Sequence, residues 1–186
     1  MTKTYKVAEH CFCIEAEDDF LFWNNMDECY GPFETSLKEC SKCFTLKLDN
    51  SFVLSKDKTQ VYTNQNDVKE GFIIFSVFKT EDNNHYFEIS QPSSIQLNGY
   101  MNISSDFSDA TLKLSGTKLE QWNTFNTAVN LCFQLSTLGK ETLVLHASAV
   151  EYKGRAYLFL GKSGTGKSTH SRMWIKALET IPLWTL

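Results

Sequence analysis

The residues best suited to chemistry lie at 161–168, where the sequence is Gly-Lys-Ser-Gly-Thr-Gly-Lys-Ser. This segment matches the pattern G-x-x-x-x-G-K-[ST] in full, which is the pattern of a phosphate-binding P-loop. Glycines allow the backbone to turn tightly, so that several amide N–H groups can point at one phosphate. The spacing therefore predicts a site for ATP or a related nucleotide together with Mg²⁺.

Each residue type in the loop has an expected role. Lys167 is expected to act on the β- and γ-phosphates as a catalytic and binding residue, and the Ser168 hydroxyl is the expected Mg²⁺ ligand. Two alternatives stay open: a glycine-rich turn without a ligand, and a P-loop that holds nucleotide but catalyses nothing. The other predicted nucleotide-binding residues are Gly161, Lys162, Ser163, Gly164, Thr165, Gly166 and Thr169.

A P-loop must lie between a strand and a helix. We predict a strand over 142–150, a turn at Gly154, a second strand over 156–160, and a helix over 167–179, whose positive N-terminal end faces the anion. His146 falls on the first of these strands. We interpret it either as a buried histidine bonded to backbone, or as a catalytic group near the phosphates that donates a hydrogen bond or handles a proton.

A second helix is predicted over 118–137, joining this region to the preceding sequence. Thr117 and Glu120 fit a capping box at its start, and Gly139 is a natural stop. Its apolar residues recur three or four positions apart, as on one helix face. These residues are Leu119, Trp122, Phe125, Val129, Cys132 and Phe133.

The first 115 residues are predicted to be mostly β-strand. The most apolar segment, 71–78, is expected to be central in its sheet. The predicted fold class is therefore α+β or α/β, with a β-rich region over 1–115 and a linking helix plus an incomplete P-loop core over 116–186. The predicted strands are 5–14, 43–48, 60–63, 71–78, 85–89, 94–97 and 110–114.

Composition narrows the function classes. Hydrophobic residues make up 42% of the 186 residues, which is enough for a folded core. The net charge is −4 and no basic run occurs, so a nucleic-acid partner is not expected. We find no apolar run long enough for a membrane span and no signal peptide, and we expect a cytoplasmic protein.

The six cysteines are expected to be free thiols in such a compartment. An alternative is a zinc site, because Cys11-x-Cys13 and Cys40-x-x-Cys43 together supply four possible ligands.

Two segments resemble the HPr kinase / phosphoenolpyruvate carboxykinase superfamily. They are 145–150, Leu-His-Ala-Ser-Ala-Val, and 158–169, which contains the narrower loop form G-x-S-G-x-G-K-[ST]. The resemblance extends over 142–175 and implies a cytosolic phosphotransfer enzyme dependent on ATP and Mg²⁺. It matches His146 to the family histidine near the phosphates. The implied acceptor is a serine of a small carrier protein for the kinases, whereas the carboxykinases make phosphoenolpyruvate from oxaloacetate.

The sequence departs from this family after the loop. Family members carry acidic residues downstream, for Mg²⁺ and for the catalytic base, but Glu179 is the only carboxylate after Ser168. We therefore expect a truncated or frame-shifted form of a longer protein. The alternative is a non-catalytic nucleotide-binding module with a β-rich partner-binding region.

The arginine content separates the two branches of the family. Arg155 and Arg172 are the only arginines in the chain, whereas gripping oxaloacetate favours an arginine cluster. This scarcity favours a kinase-like reaction over a carboxykinase-like one. Arg172 is interpreted either as a phosphate contact or as a solvated helix residue.

Overall fold

A computed structural model describes residues 1–36, 41–53, 57–65, 73–80, 82–91, 96–178 and 181–183. The chain divides into two compact units, Met1–Thr142 and Leu143–Leu186. This division differs from the predicted boundary after residue 115, because the helix that follows packs on the sheet of the first unit. The predicted mixture of helices with a β-rich N-terminal region is confirmed.

The described part of the first unit contains one nine-stranded mixed sheet, in the order β3-β1-β2-β4-β9-β8-β7-β6-β5. The strand β4 is parallel to both β2 and β9, and the other neighbours are antiparallel. Two α-helices and a 3₁₀ turn over Gly31–Phe33 complete the unit. The strands are β1 (Thr2–Val7), β2 (His10–Glu15), β3 (Glu34–Thr35), β4 (Lys42–Leu48), β5 (Lys58–Thr63), β6 (Ile74–Thr80), β7 (His85–Ser90), β8 (Gly99–Ile103) and β9 (Asp109–Leu114), and the helices are α1 (Trp23–Tyr30) and α2 (Lys118–Ser136).

The predicted single strand over 5–14 is wrong, because the chain reverses in its middle. Ala8 and Glu9 have φ angles of 46° and 68°, and β1 and β2 pair as a hairpin on either side of them. Two consecutive positive φ angles are the geometry of a type I′ turn, which is usually marked by Asn or Gly. Ala and Glu are not residues that mark such a turn, so the sequence does not predict a turn at this position.

Four predicted strands, 43–48, 60–63, 85–89 and 110–114, are confirmed within a few residues by β4, β5, β7 and β9. The strand predicted over 71–78 is β6, although residues 71–72 lie outside the described residues. It lies second from the sheet edge rather than at the centre, and most of its side chains are only half-buried.

In this unit the helix α1, the 3₁₀ turn and the strands β3 and β8 were not predicted. Of the strand predicted over 94–97, residues 94–95 lie outside the described residues and 96–97 are not strand. The short helix α1 buries Trp23, Met26 and Tyr30, which are spaced three and four apart, so its signal was present over barely two turns.

The helix α2 confirms the prediction over 118–137 almost to the residue, and it begins with the predicted capping box. Its buried face packs against β4, β8 and β9. Leu119 was predicted to lie on this face, but it is 69% exposed. At Gly99 a Cβ atom would clash with Cγ2 of Thr124, so a larger residue there would force the sheet or the helix to shift. The buried α2 side chains are Thr124, Phe125, Ala128, Val129, Cys132, Phe133 and Ser136.

The described part of the second unit is a three-stranded antiparallel sheet with one helix, in the order β11-β10-β12. The predicted turn is confirmed, since Lys153 and Gly154 have φ angles of 52° and 71°. Pro182 lies on β12, an edge strand that was not predicted, and edge strands are where proline is tolerated in a sheet. The elements are β10 (Ala147–Tyr152), β11 (Arg155–Leu160), α3 (Lys167–Leu178) and β12 (Ile181–Leu183).

Two boundaries in this unit differ from prediction. The strand predicted over 142–150 begins only at Ala147, so His146 precedes the strand instead of lying on it. The helix α3 ends at Leu178, and Glu179 lies outside the described residues.

The helix α3 covers one face of this sheet through aromatic contacts. The ring centroid of Trp174 lies 5.1 Å from that of Tyr157 and 5.5 Å from that of Phe159. The His170 ring meets Phe159 edge-on at 4.7 Å. Leu158 and Leu160 point to the other face because side chains alternate along a strand, and they are 49% and 64% exposed.

Within the described residues, no helix has the length and apolar character needed to cross a membrane.

Candidate nucleotide-binding loop

Residues 161–166 connect β11 directly to α3, so the strand–loop–helix order that the sequence pattern requires is present. Gly164 and Gly166 have φ angles of 81° and 86°, a conformation that side chains other than glycine rarely adopt. A Cβ atom on Gly161 would lie 2.8 Å from Oγ1 of Thr165. Gly164 and Gly166 therefore allow the left-handed backbone of the loop, and Gly161 leaves room for the Thr165 side chain.

The Lys167 side chain folds back across the loop. Its Nζ donates to the carbonyl oxygens of Gly161 at 2.9 Å and Lys162 at 3.1 Å. An ammonium has three N–H donors, so these two bonds leave one donor for an anion. The Thr165 side chain closes the same turn by donating to the Lys162 carbonyl at 2.8 Å.

Backbone amides form the second set of donors. The first helical bond of α3 runs from the N–H of His170 to the carbonyl of Gly166 at 2.8 Å. Within the described residues, no acceptor lies in hydrogen-bond geometry with the amide N–H of Gly166, Lys167, Ser168 or Thr169. Free donors at a helix N-terminus, together with the helix dipole, form an anion-binding arrangement.

Ser168, the expected Mg²⁺ ligand, lies in the first turn of α3 beside β10. Its Oγ is 3.2 Å from Oγ of Ser148, whose residue is 9% exposed. Sequence reasoning did not single out Ser148 as a site residue. The feature that could have indicated it is its position in β10, the strand beside β11, two residues after His146. Thr169, the last predicted loop residue, is exposed in the same helical turn.

His146 is exposed, which contradicts its interpretation as a buried histidine. It lies one residue before the Ala147–Leu160 pair, so its backbone is at the sheet end where the loop starts. Among the residues that the structure describes, none forms a hydrogen bond with its side chain. The proximity of its side chain to a phosphate stays a prediction.

The Arg172 side chain points back toward the start of α3, because its Nε donates to the carbonyl of Ser168 at 3.1 Å. Carboxylates are scarce in this unit: in its described part, Glu151 is the only one. Side chains alternate between the two faces along a strand, and Glu151 is three positions after Ser148 in β10. Glu151 therefore lies on the sheet face opposite Ser148. No described carboxylate of this unit is therefore on the side of the loop helix.

The cysteines give no zinc site in the described part of the chain, where no cluster of three or more His, Cys, Asp or Glu side chains suits a metal. The Cys43 thiol donates to the carbonyl of Cys11 at 2.9 Å, and the Cys13 sulfur lies 3.5 Å from Oγ1 of Thr4. Cys40 lies outside the described residues. The expectation of free thiols is confirmed for Cys13, Cys29, Cys43 and Cys132, and it is wrong for Cys11, which is disulfide-bonded.

In comparisons with known proteins, no family model, no curated protein and no solved structure matches this chain.

Proposed function

We propose that this chain binds ATP or a related nucleotide with Mg²⁺ through residues 161–168, and that it belongs to the phosphotransfer class that it resembles, the HPr kinases and phosphoenolpyruvate carboxykinases. One observation carries the proposal. The Lys167 ammonium and the unbonded amides at the start of α3 lie on one exposed loop. Such donors suit a polyphosphate, whose charge the loop can meet without a basic surface.

The residues present fit the proposed ligand. The amides of the loop would hold the phosphate oxygens, with the spare N–H of Lys167 on the β- and γ-phosphates. The Ser168 hydroxyl would be a ligand of Mg²⁺, which, when bound, neutralises charge on those oxygens. His146 is proposed to lie near the phosphates, and the acceptor to be a protein or a small molecule. The proposed location is the cytoplasm.

A second candidate function is nucleotide binding without phosphoryl transfer. It is favoured by the position of Glu151, the one described carboxylate of this unit, on the face away from Ser148. Phosphoryl transfer usually needs a carboxylate for the metal or for the nucleophile. A loop without one can still hold nucleotide and report its presence to a partner of the β-rich unit.

The binding test compares the thermal unfolding midpoint with and without Mg-ATP. At about 100 times the dissociation constant, binding stabilises the chain by about 2.7 kcal/mol, which raises the midpoint by roughly 5–10 °C. Lys167→Ala should lose this rise. Lys176→Ala is the matched control, because it removes a lysine from the last turn of the same helix. AMP, which has no β- or γ-phosphate, should give a much smaller rise.

An unchanged midpoint in the parent chain, or an equal rise in Lys167→Ala, would refute the loop assignment. If binding is found, incubation with γ-³²P-labelled ATP separates the two candidates. Label that passes to an acceptor, and that disappears in His146→Ala, supports phosphotransfer. Tight binding without any transfer supports the binding module.

A further inference from the structure

The contact between Ser148 and Ser168 joins two different elements. Ser148 is in β10, on the sheet face that α3 covers, and Ser168 is in the first turn of α3. Their Oγ atoms lie 3.2 Å apart, and either hydroxyl can be the donor. Ser148 is only 9% exposed, so its position is set by the sheet and not by solvent.

A serine hydroxyl can bind a cation only in certain orientations of its O–H bond. It offers a lone pair to the metal, and its proton must then point away from the metal toward another acceptor. Mg²⁺ makes this demand strict, because it requires nearly ideal octahedral geometry at short distances. Partners that orient a ligand in this way are known to affect metal affinity strongly.

Ser148 is placed to accept the hydrogen bond that the Ser168 hydroxyl would then donate. Within the described residues, its Oγ is the only side-chain atom in hydrogen-bond contact with the Ser168 hydroxyl. Glu151, the carboxylate nearest to Ser148 in the sequence, is on the opposite face of the sheet. Ser171, which also contacts Ser168, donates to the Ser168 backbone carbonyl at 3.2 Å and leaves the hydroxyl untouched.

We propose that Ser148 is a positioning residue for Mg²⁺: its Oγ accepts a hydrogen bond from the Ser168 hydroxyl, which turns a lone pair of the Ser168 Oγ to the cation. This proposal rests on the proposed function. It assigns Ser148 a role in metal affinity and none in holding the nucleotide itself, because its buried hydroxyl contacts only Ser168 among the described side chains.

The test separates the two affinities with a fluorescent ATP analogue. The dissociation constant for the analogue is measured in EDTA, and the constant for Mg²⁺ is then measured by titration at saturating analogue. Ser148→Ala is expected to raise the Mg²⁺ constant about tenfold, with the EDTA value unchanged. Ser148→Thr, which keeps the hydroxyl, is expected to restore the Mg²⁺ constant.

The matched control is Ser171→Ala. Ser171 is 8% exposed, against 9% for Ser148, and both contact Ser168, so a loss caused only by packing would appear in both variants. We expect no change in the Mg²⁺ constant for Ser171→Ala. If Ser148→Ala does not fold, Ser148→Cys provides the same test, because it keeps the side-chain volume and replaces a good acceptor with a weak one.

Two results would overturn the proposal in different ways. An unchanged Mg²⁺ constant in Ser148→Ala or Ser148→Cys, with the parent chain still binding nucleotide, refutes the role of Ser148 alone. A parent chain that binds no analogue in either condition refutes the proposed function and this proposal with it.

Discussion

Thr117 and Glu120 hydrogen-bond to each other's backbone at the start of α2. The Thr117 N–H donates to Oε2 of Glu120 at 2.8 Å, and the Glu120 N–H donates to Oγ1 of Thr117 at 3.4 Å. The two side chains thereby satisfy donors that a helix start would otherwise leave without partners. This start fixes where α2 begins on the sheet.

Thr117→Ala should therefore destabilise the first unit by about 1 kcal/mol, which is typical for the loss of an N-cap side chain. Urea unfolding followed by circular dichroism measures this difference. Thr127→Ala is the control, because Thr127 is inside α2 and, among the described residues, its hydroxyl bonds only to the Asn123 carbonyl. Alanine has the higher helix propensity, so this variant should unfold at an equal or higher urea concentration. Equal losses in both variants would contradict the capping argument.

Gly166→Ala should destabilise the loop through backbone strain and not through a clash. The residue has a φ angle of 86°, and a Cβ atom there would meet nothing within 4 Å. Left-handed backbone costs a residue with a side chain about 1–2 kcal/mol. Faster hydrogen exchange of the α3 amides would report this loss.

Gly31→Ala serves as the control for that substitution. Gly31 also has open space around it, but its φ angle of −49° suits any residue. We expect no loss of protection in the first unit. Normal protection of α3 in Gly166→Ala would show that the loop does not need the left-handed conformation.

Asp106 makes the turn between β8 and β9 sensitive to acid. Hydrogen bonds from the Ser104 hydroxyl, and from the N–H and hydroxyl of Ser108, lower the pKa of its carboxyl from 3.8 to about 2. Because the pKa is lower in the folded state, the ionised carboxylate stabilises the fold above pH 3.8, and this stabilisation is lost as the pH falls through about 2. Asp106→Asn should therefore be less stable than the parent at pH 6, and equal to it below pH 2. Carboxyl ¹³C shifts, measured by NMR against pH, check the pKa directly.

The thiols of Cys132 and Cys29 should react very differently. Burial raises the pKa of the Cys132 thiol to about 12, and thiolates are the reactive form. Cys29 is exposed. Iodoacetamide followed by peptide mass spectrometry should label Cys29 in the folded chain, and Cys132 only in denaturant. Early labelling of Cys132 would mean that α2 leaves the sheet easily.

The sequence predicted best where one local rule determined the structure. The capping box set the start of α2, and Gly154 set the turn between β10 and β11. The loop at 161–166 followed from the pattern G-x-x-x-x-G-K-[ST], and it lies between a strand that ends at Leu160 and a helix that begins at Lys167. Each of these signals involves residues close together in the chain, so its outcome depends little on tertiary contacts.

The failures have a different origin. The Ala8-Glu9 turn adopts positive φ angles that neither residue favours, and the pairing of β1 with β2 and the Lys6–Glu9 ion pair stabilise it. The segment that contains β6 was placed at the sheet centre because it is apolar, but strand order depends on partners far along the chain. The contact of Ser148 with Ser168 arises only when β10 and α3 pack, so no spacing rule indicates it.

The position of β4 has a consequence for how the first unit folds. Its two neighbours, β2 and β9, are both parallel to it, and parallel strands cannot be joined by a tight turn. The hairpins β1–β2, β6–β7 and β8–β9 join residues that are close in sequence, so we expect them to form first. On this order we expect β4 to enter between two preformed ladders, which costs more chain entropy and slows folding. Until it does, we expect the open edges of β2 and β9 to be exposed to other chains, which favours aggregation during that interval.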